Sequence, residues 1–143
     1  MQIDGRCHCG NITFRLVIEP TPKMISARAC TCTFCQKHGG VWTSSPQGIL
    51  RISIADANHV HRYQFGTRTA TFHICKRCGV VPVVTSDIGG RTYAVVSVNA
   101  FENVPVAMLD KAPVSFDGEV EGERLARRAR NWVPDVRYAE GGA

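Results

Sequence analysis

Seven cysteines gathered into three tight groups constrain this 143-residue chain more than any other feature. They read Cys7-His8-Cys9-Gly10, then Cys30-Thr31-Cys32-Thr33-Phe34-Cys35, then Cys75-Lys76-Arg77-Cys78-Gly79. Disulfides explain them poorly: seven is odd, the opening MQIDGRCHCG offers no apolar export signal, and cysteines one residue apart are badly placed to bridge each other. Metal explains them better. In a C-x-x-C-G turn both sulfurs point inward, and the glycine that follows closes the turn at positive φ without a Cβ clash. Gly79 fits that role, and Gly10 fits it after the shorter pair.

Tetrahedral zinc takes four protein ligands in a structural site and typically three in a catalytic one, so seven cysteines divide as four and three. Cys30, Cys32 and Cys35 lie within six residues and can wrap one ion unaided. The distant pairs Cys7/Cys9 and Cys75/Cys78 then complete a closed four-thiolate site that ties the N-terminal strand to the middle of the chain. The expectation is two Zn²⁺ per chain, one in a closed site and one in an open site. His38, three residues after Cys35, is a candidate fourth ligand of the open site, although a histidine there is more often a surface residue; His8 and His73 are weaker candidates beside their cysteines. An iron–sulfur cluster would lack its fourth ligand on Cys30/Cys32/Cys35.

The rest of the chain predicts a mainly β fold of small twisted antiparallel sheets with zinc knuckles and one short C-terminal helix. Ile12, Phe14, Leu16 and Ile18 alternate with polar and smaller residues, as do Leu50, Ile52 and Ile54, and further runs fall at 63–65, 70–74, 82–85 and 92–98. Polar or glycine-rich breaks such as Gly39-Gly40 and Gly89-Gly90 come at hairpin intervals rather than at the spacing of crossover helices. The helical stretch is 121–132, stopped by Pro134. With no linker or repeat, residues 1–143 read as a single domain whose tail frays from about residue 139.

No run approaches the ~18 apolar residues of a membrane span, so a cytoplasmic protein without membrane contact is expected. The formal charge of +5 suggests nucleic acid, but seven thiolates on two divalent ions lower it by three. What remains is the local cluster Arg124, Arg127, Arg128 and Arg130, read as the solvated end of a helix rather than as a nucleic-acid surface.

These motifs, Gly5-Arg6-Cys7-His8-Cys9-Gly10 before a strand, Cys30 through Gly40, and Phe72 through Gly79, resemble the glutathione-dependent formaldehyde-activating enzyme family, which also includes centromere protein V. The resemblance implies a β-rich fold with Cys7, Cys9, Cys75 and Cys78 as a structural zinc site, and it matches Cys30, Cys32 and Cys35 to the family's catalytic zinc ligands. It also implies the addition of glutathione to formaldehyde, a carbon–sulfur lyase reaction giving the S-hydroxymethyl adduct. Three thiolates make zinc a mild Lewis acid, better suited to activating a thiol than to polarising a carbonyl. By adjacency, His38 is the candidate acid for the developing alkoxide and Lys37 the candidate anchor for a glutathione carboxylate. Trp42 reads as core rather than substrate wall. The competing class is a non-catalytic zinc module that binds a protein or nucleic-acid partner.

Overall fold

The alternation at 12–17 is realised as strand β2 (Ile12–Val17), which buries Ile12, Phe14 and Leu16. It pairs antiparallel with β5 (Ile49–Ile54) so that Leu16 faces Leu50, Phe14 faces Ile52 and Ile12 faces Ile54. Each such apolar residue removed from water contributes roughly 1.5–3 kcal/mol before entropy is counted. On the other side β1 (Gln2–Arg6) pairs with β2 and sets Gly5 against Phe14. A Cβ at Gly5 would stand 2.1 Å from the Phe14 ring, so the position is closed to every side chain. These strands and β11 (Asp135–Glu140) form a four-stranded sheet, ordered β1-β2-β5-β11.

The second sheet has seven strands in the order β10-β3-β4-β9-β8-β7-β6. They are β3 (Ile25–Cys30), β4 (Val41–Thr43), β6 (Val60–Tyr63), β7 (Thr71–Cys75), β8 (Val83–Ile88), β9 (Arg91–Ser97) and β10 (Leu109–Val114). Ile3, Leu16, Leu50, Val83, Val96 and Val133 belong to one buried core drawing on both sheets. A second cluster, built on Trp42, Phe72, Val84, Val95 and Trp132, packs around Cys35. Helix α1 (Thr33–His38) follows β3 directly, and α2 (Glu121–Asn131) lies between β10 and β11. Ala94 and Val133 exchange backbone hydrogen bonds of 3.0 and 2.9 Å, which pin the chain just after α2 to β9.

This computed structural model describes residues 1–141. The mainly β class holds, with two refinements. Most pairings are antiparallel, but β10 runs parallel to β3 and β11 parallel to β5, each at a sheet edge. Ala139 and Glu140, where fraying was expected, pair with Ser53 and Ile54, while Gly142 and Ala143 lie outside the described residues. No helix among the described residues is long and apolar enough to cross a membrane.

Candidate metal centres and the cavity beside one of them

The fold gathers the cysteines into a four and a three. Cys7 and Cys9 follow β1, and Cys75 ends β7 before the turn that carries Cys78. Their four sulfurs lie within 4.8 Å of one another. The Sγ atoms of Cys7 and Cys9 are 3.8 Å apart and those of Cys9 and Cys75 3.5 Å, close to the ~3.8 Å edge of a sulfur tetrahedron built on ~2.3 Å zinc–sulfur bonds. Both turns close as their glycines predicted: the Gly10 amide donates to the Cys7 carbonyl at 3.1 Å with φ of 85°, and the Gly79 amide to the Cys75 carbonyl at 2.8 Å with φ of 79°. Burial pushes the Cys7 thiol up to about 12, and the Ile12 amide, donating to its sulfur at 3.3 Å, works against that rise. All seven cysteines are free thiols.

Cys30, Cys32 and Cys35 form the second group, their sulfurs again within 4.8 Å of one another. Cys30 is the last residue of β3, Cys32 caps the N-terminus of α1 by accepting from the Cys35 amide at 3.4 Å, and Cys35 is buried one turn into the helix. The Cys35 thiol holds Cys30 down to about 5 by hydrogen bonding, and that same bond, with burial, pushes Cys35 well up. A trio that must share protons in this way is an electron-rich donor set, and a divalent cation meets the same demand. The residues present therefore fit zinc at both groups.

The surroundings differ. Cys30, Cys32 and Cys35 line a cavity of about 290 Å³, at the lower end of the ~300–1,000 Å³ range of small-molecule sites. Trp42, Phe72, Val84, Val95 and Trp132 supply an apolar wall. Trp42 is thus both core, 6% exposed, and cavity lining. The hairpin tip carrying Phe65, Gly66 and Thr67 closes another part. None of the four cysteines of the other group lines this cavity.

His38 and Lys37 are exposed and do not line the cavity. The His38 ring packs on Phe34, centroid to centroid 4.5 Å, and burial there lowers its pKa. The His38 ring also meets the Trp42 ring at 6.1 Å, but the acid and anchor roles expected from adjacency find no cavity-lining side chain at either position. His73 engages Thr85 Oγ1 at 2.8 Å and the Tyr138 hydroxyl at 3.4 Å; neither it nor His8 joins a cysteine group.

The larger revision concerns the arginines. Arg124, Arg127 and Arg128 turn into the cavity and Arg28 joins them from β3, whereas Arg130 is exposed. Arg128 is 6% exposed and is the buried residue of α2. Glu119 takes both nitrogens of the Arg127 fork at 2.9 and 3.1 Å and lies 3.7 Å from Arg124. The signal that could have revealed this wall was the spacing of Arg124, Arg127 and Arg128, which puts three guanidinium groups on one helix face.

A crystal structure of a Rhodobacter sphaeroides protein matches this chain at a TM-score of 0.56 and 28% identity, over 77% of this chain and 97% of that one. The model of the glutathione-dependent formaldehyde-activating enzyme family matches residues 2–114, which hold both cysteine groups. With most of its length matched by that model, the chain belongs to the glutathione-dependent formaldehyde-activating enzyme family.

Proposed function

We propose that this protein is a zinc-dependent carbon–sulfur lyase-type enzyme that adds glutathione, or another small thiol, to formaldehyde to give the S-hydroxymethyl adduct. The observation that carries the reading is the opening of Cys30, Cys32 and Cys35 onto a cavity, while the remaining four cysteines form a complete set elsewhere. Cys7, Cys9, Cys75 and Cys78 would hold a structural zinc, and Cys30, Cys32 and Cys35 a second. When bound by three thiolates, that second ion supplies a position at which an incoming thiol loses its proton near neutral pH.

The chain's own residues set up the rest. Trp42, Phe72, Val84 and Val95 exclude water and confine a small aldehyde beside the thiol, and proximity of this kind can contribute roughly 7 kcal/mol or more to lowering a bimolecular barrier. In the reaction a carbon–sulfur bond forms, the S–H bond breaks, and a proton ends on the former carbonyl oxygen. Neither His38 nor Lys37 enters this scheme. A nucleic-acid module has less support, because three of the four clustered arginines turn inward.

The reaction proceeds spontaneously, so the test is a rate. Exchange NMR on free and hydroxymethylated glutathione should show faster interconversion with zinc-loaded protein, and the acceleration should be lost in Cys35→Ser. No acceleration with fully loaded protein, across several thiols, would sink the proposal in favour of a binding module.

A further inference from the structure

We propose that Arg28 and Arg128 form an anion subsite in the cavity wall that takes a carboxylate of the thiol substrate, which makes the enzyme selective for carboxylate-bearing thiols. The inference rests on the thiol-adding reading above and specifies the substrate class of that same site.

The cavity wall carries charge that the protein leaves without a carboxylate partner. A buried guanidinium is costly unless paired, and natural structures almost always supply a carboxylate. Arg128 has none: Nη1 donates to the neutral hydroxyls of Thr69 at 2.9 Å and Ser86 at 3.2 Å, and its buried Nε has no partner. Arg28, half-buried, donates to another neutral hydroxyl, Ser44 Oγ, at 2.9 Å. Burial and the neighbouring Arg127 and Arg124 hold Arg128 down to about 10, so it remains cationic at neutral pH in surroundings that penalise its charge.

The fold had carboxylates to offer and placed them elsewhere. Glu119 is committed to Arg127, whose guanidinium also lies 3.6 Å from the centroid of the Phe116 ring. Asp117 is the one acidic residue among those lining the cavity, and it is exposed. Four lining arginines face the Asp117 carboxylate, the Glu119 carboxylate bound to Arg127 and the Cys30 thiolate, so the wall keeps a positive excess in the space that the three cysteines share. Arginine's planar fork suits a carboxylate geometrically, and the apolar lining strengthens the pairing by keeping water out. An anion that enters with the thiol therefore completes a charge balance that the lining residues do not reach by themselves.

The test uses zinc-loaded full-length protein and compares glutathione with its diethyl ester in the exchange assay. The ester keeps the thiol and removes both carboxylates. Glutathione should show a KM about ten- to a hundredfold lower at similar kcat, as expected when an interaction is made equally in ground and transition states. Arg128→Met, and separately Arg28→Met, should each reduce that ratio about tenfold or more while the ester's constants change little. Asp117→Asn, at an exposed position, should lower the glutathione KM by a factor of about two to five.

Calorimetry with S-methylglutathione, which cannot react, reads the subsite independently of turnover. Binding to wild type that is lost in both arginine variants, with their circular dichroism unchanged, supports the subsite; should Arg128→Met unfold, Arg28→Met and Asp117→Asn decide. Equal KM values for glutathione and ester overturn the subsite and leave the thiol chemistry standing. Absent acceleration with intact S-methylglutathione binding overturns the chemistry and leaves the anion subsite standing.

Discussion

The two cysteine groups have the same ligand chemistry and opposite surroundings. The group of four is the more exposed at one point, since Cys9 faces solvent while Cys7 and Cys75 are fully buried. In the group of three Cys35 is buried and Cys30 and Cys32 are half-buried, packed against aromatic side chains and lining a cavity. Exposure therefore does not separate the two groups; the cavity does. Under the proposed function, an ion held by four thiolates would have nothing to exchange, whereas three thiolates facing a confined space would leave a position for a fourth ligand from outside.

The largest effect that would break this comparison is on folding. Cys75→Ser should remove much of a metal-coupled folding contribution on the order of 10 kcal/mol, comparable to the whole stability of a domain, and so abolish a cooperative thermal melt. Cys32→Ser should keep the melt and lose one zinc and the thiol exchange, because serine is itself a good helix cap at the start of α1. Native mass spectrometry and circular dichroism on the two variants check both halves. If the two behaved alike, the assignment of a structural and a reactive centre would fall.

A smaller effect sharpens the contrast in lability. Wild type should carry two zinc ions and release them to a chromophoric chelator in two phases, the faster one from Cys30, Cys32 and Cys35, and that phase should be missing in Cys32→Ser. The smallest effect tests the knuckle alone. Gly79 holds φ of 79°, and a Cβ there would meet no atom within 4 Å. Gly79→Ala therefore carries only the conformational penalty of a left-handed residue, about 1–2 kcal/mol, read as a drop of several degrees in Tm.

The cysteine spacing and the alternation at 12–17 and 49–54 were legible in the sequence because both are local: a turn needs its glycine, and a half-buried strand needs a period of two. Strands β10 and β11 were not. Leu109–Val114 carries Asp110, Lys111 and Pro113 and is mostly exposed, as suits an edge strand bonded on one side only, and its partner β3 lies far back in the chain. The arginine wall was missed for a related reason. Periodicity finds the inward face of a helix by its apolar residues, and the buried residue of α2 is Arg128, a charge that reads as surface until the cavity it faces is known. His38 shows the opposite limit: nearness in sequence to Cys35 suggested a catalytic role, whereas its ring packs on Phe34 and does not line the cavity.

The placement of α2 has an evolutionary consequence. The segment between β10 and β11 starts from an edge strand of one sheet and ends on an edge strand of the other, so it brackets the cavity while contributing no cysteine. Each edge strand is hydrogen-bonded to one neighbour only, and the backbone of the segment between them is joined to the two sheets at its ends. Lineages can therefore remodel residues 115–131, with Trp132 and Val133 kept for the core, and inherit the metal-binding scaffold, which separates the acquisition of a new substrate from the upkeep of the reaction. Chimeras that exchange this bracket between relatives should transfer thiol preference and leave zinc loading as it was.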